Sequence, residues 1–242
     1  PPKGIADIRF VQFCFHNGHK DTRCSLQTGC KITNNGDCFT IGQWRPLFCK
    51  TESVMKTVFK ILLMAVAYLV IFLLGSTSGL IHPACVAYAG AILPLLFAPV
   101  YLSTCSLMRC FGAAAVLNGF VLIVGLITGE ADVPCIIGLC VLAALAEIIR
   151  YFLGYGTMKG VRWSFVPLAF SFFPYMAHWW TNTEGSLAEA VEVMRPGYDQ
   201  MMIGVIENIP MLIVVLVLTV PVALLAIRLA ERVLKKQAGS FK

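Results

Sequence analysis

The sequence predicts an all-α polytopic membrane protein, a six-transmembrane-helix bundle with a short external amphipathic helix. Three observations lead there. First, 58% of the 242 residues are hydrophobic and 13% are charged, with a mean hydropathy of +0.77, an apolar share beyond what a soluble core uses. Second, apolar runs occur at 57–75, 83–102, 107–127, 133–153, 163–180 and 208–230, each close to the roughly 20 residues a helix needs to cross the hydrocarbon core. Third, basic residues segregate by side.

Lys56, Lys60, Arg109, Arg150, Lys159, Arg162, Arg228, Arg232, Lys235, Lys236 and Lys242 fall at one end of these runs, against Arg195 at the other. The positive-inside rule makes the first end cytoplasmic, which puts both ends of the bundle inside and the chain in the cell membrane as a multi-pass protein. Glu130, Asp132, Glu184, Glu189, Glu192, Asp199 and Glu207 collect at the opposite, external end. The net charge of +6 therefore reflects topology, and a nucleic-acid partner has no support. The lipid bilayer is the expected surrounding.

Residues 1–54 differ in composition: polar, with Cys14, Cys24, Cys30, Cys38 and Cys49 and no apolar run long enough to span. The first methionine is Met55, followed by Lys56 and the first apolar run. Residues 1–54 are read as a poorly structured, Cys-containing leader of translated upstream sequence or a fusion fragment, and 55–242 as the transmembrane domain. A small zinc module using these cysteines with His16 and His19 is the rival, but the segment has no Cys-x-x-Cys pair and its spacings fit no standard finger. Cys85, Cys105, Cys110, Cys135 and Cys140 lie in or beside spans, where Cys acts as a small apolar residue. No metal or cofactor is called for.

The connection 181–207 is long enough for structure of its own. Ser186 and Glu189 form a Ser-x-x-Glu capping box, and Leu187, Val191 and Met194 share a helical face before Pro196-Gly197. The stretch Asp199 to Glu207 leads to Asn208, an N-cap for the last span with Pro210 in its first turn. This loop resembles a lid, although an interfacial helix resting on headgroups would look the same in sequence.

Ionisable and amide groups inside spans need partners. Glu147 lies three residues before Arg150 on one face of the fourth span. An intrahelical ion pair near the interface explains them, and contact with a cytoplasmic partner protein is the functional alternative. Asn118, mid-span, serves as helix glue or as a ligand contact. His178, Trp179, Trp180 and Asn182 gather before the lid, with His82, Glu130, Asp132 and the loop Gly75-Ser76-Thr77-Ser78-Gly79 facing the same side. Trp at this depth often belongs to an interfacial belt. Aromatic walls with a few polar groups also suit a small-molecule substrate. The candidate binding residues are therefore His178, Trp179, Trp180, Asn182, Asn118, His82 and Glu130.

Enzyme chemistry finds little support. Ser78 with His82 and His178 loosely suggests a Ser-His intramembrane protease, but that serine sits in a loop at a helix end. The sequence has no His-Glu-x-x-His, Walker or Rossmann motif, so active transport would have to be powered by other subunits.

From Met55 onward the chain resembles the S components of energy-coupling factor (ECF) transporters, in particular the Trep_Strep (MptD-like) group. The resemblance is carried by Ala146-Glu147-Ile148-Ile149-Arg150 followed by Gly154-Tyr155-Gly156, by Phe172-Phe173-Pro174-Tyr175, by Gly197-Tyr198-Asp199 and by the basic run Arg228 to Lys236, in that order within six spans. It implies a substrate-binding subunit of an ABC importer for a vitamin or other micronutrient, working with an ECF T component and two cytoplasmic ATPase subunits. In that family an Ala-x-x-x-Ala pattern in the first span contacts the T component. Here Ala65 and Ala67 are spaced Ala-x-Ala, and close-packing faces are expected instead at Ala87-x-x-x-Ala91 and Ala115-x-x-x-Gly119. A stand-alone secondary transporter is the runner-up, disfavoured by sparse intramembrane charge and the lack of an inverted repeat. A membrane anchor would not need the polar and aromatic mouth.

Overall fold

The computed structural model describes the backbone of residues 47–240 and the side chains of residues 54–234. Most of the expected leader, and its zinc alternative, lie outside the described residues. The described chain is helical: α1 (Leu47–Thr77), a 3₁₀ turn (Ser78–Leu80), α2 (Pro83–Ala89), α3 (Pro94–Leu107), α4 (Ala113–Thr128), α5 (Val133–Leu153), α6 (Met158–Ala169), α7 (Phe173–Met176), α8 (His178–Thr181), α9 (Thr183–Val193), α10 (Tyr198–Glu207) and α11 (Ile209–Ser240).

Among the described residues, four stretches are long and apolar enough to cross a membrane: Val54–Leu80, Pro83–Leu107, Val133–Leu153 and Ile209–Leu234. The expected third span is the 16-residue helix α4, about 24 Å long at 1.5 Å per residue and so shorter than the hydrocarbon core. The expected fifth span is not one helix. α6 ends at Ala169, and after a turn at Phe170–Phe172 the chain restarts as α7 with Pro174 in its first turn, where its missing N–H leaves no helical bond unmade.

Each long helix buries one stripe and exposes apolar residues elsewhere. α1 buries Ile61, Ala65, Tyr68 and Phe72, spaced four, three and four residues apart, and exposes Leu62, Leu63, Val66, Val70 and Leu73. α11 buries Val215, Thr219, Ala223, Ala226 and Ala230, and exposes Val214, Val217, Leu218 and Leu225. Apolar surface on this scale matches a lipid-facing exterior. α3 is the central helix, burying Phe97, Ala98, Tyr101, Thr104 and Cys105 and packing against α1, α6 and α11.

Polar residues hold the helices together. Asn118 on α4 accepts from the Tyr68 hydroxyl of α1 at 3.2 Å and donates to the Leu139 carbonyl of α5 at 3.2 Å, so one amide joins three helices. Tyr101 and Ser164 join α3 to α6 at 2.7 Å. Ala87 is buried, but the expected close packing at Gly119 is absent. A Cβ added there would meet nothing within 4 Å. Gly138 is the tight contact instead, with the Pro174 ring 2.5 Å from an added Cβ, so only glycine lets α5 approach α7 this closely.

The basic end is fixed by two cations. Arg162 on α6 donates to the Glu231 carboxylate of α11 through Nη2 and, at 3.1 Å, through Nε. Arg150 near the end of α5 donates to the Met108 carbonyl, the C-cap of α3, at 2.9 Å. At the acidic end α9 and α10 pack on each other, α9 on α8 and α10 on α2. The capping box expected at Ser186 does not start α9. The helix begins at Thr183, and Ser186 lies inside it, buried, with its hydroxyl donating to the His178 carbonyl at 3.2 Å. The buried residues of α9 are Ser186 and Ala190, while Val191 is exposed. Asn208 does cap α11, accepting from the Met211 amide at 3.2 Å.

Candidate functional site

Two adjoining cavities open at the acidic end. The first, about 310 Å³, lies among α1, α4 and α5 with Tyr175 of α7 as a wall, and is lined mainly by apolar residues including Leu69, Phe72, Val121 and Leu139. The second, about 230 Å³, lies under the cap, between the 3₁₀ turn, α2, α9 and α10, and is lined by His178, Trp179, Ser186, Glu189, Met194 and Tyr198 among others. Ser76, Glu130 and Tyr175 line both, so these residues mark where the two cavities adjoin.

Aromatic rings line the route. Phe72 meets Tyr175 edge-on with centroids 5.4 Å apart, Tyr175 meets His178 at 6.0 Å, His178 meets Trp179 at 5.0 Å, and Trp179 meets Tyr198 at 6.5 Å. The break in the predicted fifth span creates this arrangement, because the turn before α7 carries Tyr175 and His178 to the cavity side. The His178 Nδ1 is 2.8 Å from the Tyr175 carbonyl, which fixes the ring. Burial raises the Tyr198 hydroxyl pKa above its usual value, with Arg195 partly opposing, so Tyr198 remains a hydrogen-bond donor at neutral pH.

The expected mouth residues separate into two groups. His178, Trp179 and Glu130 line the cavities. Trp180, Asn182 and His82 do not. The Trp180 indole donates to the Ile206 carbonyl of α10 at 3.3 Å and so fastens the cap. Asn182 is exposed at the start of α9. His82 is exposed and its Nδ1 accepts from the Ala84 amide at 3.1 Å as the N-cap of α2. Asp132 likewise caps α5 by accepting from the Cys135 amide at 2.9 Å. Phe72, Ser76, Tyr175, Glu189 and Tyr198 share the lining with His178, Trp179 and Glu130. Of these, Tyr175 was signalled in the sequence by the aromatic run that Pro174 interrupts.

Asn118 is held by Tyr68 and Leu139 and lines a separate groove of about 250 Å³ between α4 and α5, with Glu147 at the same wall. Glu147 and Arg150 are 2% and 0% exposed, with Glu147 Oε1 3.7 Å from Arg150 Nη1. They pair as expected, but in the interior rather than reaching to the interface. Glu147 Oε1 accepts from the Ala114 amide at 2.7 Å, at the start of α4. The hydroxyl of Ser78 donates to the Gly75 carbonyl at 2.6 Å. Among the described residues no three His, Cys, Asp or Glu side chains come together to hold a metal.

The profile of a family described as hypothetical bacterial integral membrane protein (Trep_Strep) matches residues 38–239. The chain belongs to this family. As a Trep_Strep protein it is an integral membrane protein, in keeping with its apolar helices, and the matched region begins upstream of Met55 and takes in both cavities. No curated protein and no solved structure matches the chain.

Proposed function

We propose that this protein is the substrate-binding membrane subunit, the S component, of an ECF-type ABC importer for a vitamin or other micronutrient. The observation that carries this reading is the pair of adjoining, aromatic-lined cavities at the acidic end beneath α9 and α10. A small-molecule site wants concave apolar walls with a few polar groups, and a membrane anchor needs neither. We read the chain as crossing six times, with α4 as the third crossing and α6 to α8 as a broken fifth. Broken spans are tolerated where they line a cavity. The segregation of Lys and Arg supports reading the acidic end as external and both ends of the bundle as cytoplasmic. Substrate then enters from outside under the α9–α10 cap. A T component and two cytoplasmic ATPase subunits supply the energy, since the sequence carries no nucleotide-binding motif of its own.

Uptake tests this function. Bacterial cells expressing the full chain with a T component and ATPase pair should accumulate one member of a panel of radiolabelled vitamins and vitamin precursors. Uptake should fail without the ATPases. Accumulation by this chain alone, driven by an ion gradient, would instead make it a secondary transporter.

A further inference from the structure

The described side chains lining the two cavities carry charge of one sign, and three of their hydroxyls give their protons to backbone carbonyls. Ser76 donates its hydroxyl proton to the Leu73 carbonyl at 3.0 Å, Thr128 to the Val124 carbonyl at 3.1 Å, and Ser186 to the His178 carbonyl at 3.2 Å. Each hydroxyl oxygen is left with lone pairs to offer. A carbonyl can only accept, so the contact with Tyr175 puts a His178 proton on Nδ1. Glu130 lines both cavities and Glu189 the second, and ionised carboxylates only accept. Among the described residues lining either cavity none is Lys or Arg. Arg195, the cation near Tyr198, donates to the Ile81 carbonyl at 3.0 Å.

Resting on the substrate-binding role proposed above, we infer that the ligand is a small organic cation. A protonated amine, rich in hydrogen-bond donors, sits at Glu130, and an apolar or aromatic body fills the cavity walled by Phe72 and Tyr175. The charge pairs with the carboxylate and with the faces of the flanking rings. A carboxylate or phosphate ligand would meet like charge at Glu130 and Glu189, with no Lys or Arg among the described lining residues to offset it and only the neutral donors of Tyr175, Trp179 and Tyr198 to receive it.

A matched probe set reads the ligand's charge. Purified full chain in detergent is titrated with 2-phenylethylamine, 2-phenylethanol and 3-phenylpropionate, and dissociation constants are taken from ligand-observed NMR. The amine should bind about 3-fold more tightly than the carboxylate, the scale expected of a charge pair at the exposed Glu130. Glu130→Gln should bring the two to comparable affinity, and Glu189→Gln should narrow the gap by less. Equal or tighter carboxylate binding, a preference that survives Glu130→Gln, or binding by none of the three overturns the inference. The importer role is judged separately by association with T component and ATPases. An amine preference without that association would leave the site standing and remove the importer, and association with a carboxylate preference would do the reverse.

Discussion

Glu147 and Arg150, one turn apart on α5, act on opposite sides of a single chain reversal. The Glu147 carboxylate accepts from the Ala114 amide at 2.7 Å, where α4 begins, and the Arg150 guanidinium donates to the Met108 carbonyl at 2.9 Å, where α3 ends. Each charge meets the helix end whose dipole it complements. The reversal itself depends on Gly112, whose φ of +118° lies where side-chain-bearing residues are strained. The pair is a structural staple, and this explains why two ionisable groups persist in an apolar interior.

Breaking the staple by one partner should be severe. Arg150→Met leaves the Glu147 charge buried and should lose about 3–5 kcal/mol of stability. The double variant Glu147→Gln/Arg150→Met should lose less than the sum of the single variants. Thermal melting in detergent measures both. A wild-type melting temperature for Arg150→Met would show that the pair holds nothing together.

Asn118 separates glue from ligand contact. Asn118→Leu removes the partner of the Tyr68 hydroxyl and of the Leu139 carbonyl, and should destabilise by about 1–3 kcal/mol. Ligand affinity, measured on the folded fraction, should stay within about 2-fold of wild type, under 0.5 kcal/mol on the scale of 1.4 kcal/mol per tenfold. A large affinity loss with unchanged stability would move Asn118 into the site.

The paired tryptophans should behave differently. Trp179→Ala and His178→Ala remove cavity walls and should weaken binding by about 10-fold or more. Trp180→Phe removes the tie to Ile206, should lower stability by about 0.5–1.5 kcal/mol and should change affinity little. Equal affinity losses for Trp180→Phe and Trp179→Ala would mean that both indoles line the site.

Gly138 and Gly119 test the packing behind the site. Gly138→Ala drives a methyl into the Pro174 ring and should cost about 1–3 kcal/mol, displacing the neighbouring Tyr175 and reducing binding. Gly119→Ala meets open space and should be neutral or stabilising by about 0.5–1 kcal/mol. The order of the two melting temperatures is the check.

Much of the helical architecture could be read from the sequence, because apolar runs near 20 residues leave few alternatives. The four long apolar stretches lie on the first, second, fourth and last predicted runs, the second of them divided into α2 and α3. The break after Ala169 could not be read, since Phe170 to Tyr175 is as apolar as the residues before it and only Pro174 hinted at an interruption. The same difficulty governed the site. His178, Trp179 and Glu130 could be found because polar and aromatic residues cluster near a span end. Phe72 looked like an ordinary span residue, and Tyr175 stood out only as the end of an aromatic run, until tertiary packing faced both toward one cavity. His82 and Asp132 drew notice for their chemistry, yet both serve as helix N-caps, a role that depends on where a helix starts. Glu147 and Arg150 could be paired by spacing alone, but their burial follows from α3 and α4 folding over them.

The most direct test of the importer assignment is affinity purification of the full chain co-expressed with a bacterial ECF T component and its ATPase pair, in mild detergent. The account predicts that all four polypeptides leave the column together and remain associated through gel filtration. Recovery of the chain free of these subunits, across several T components and with the protein folded, would contradict it.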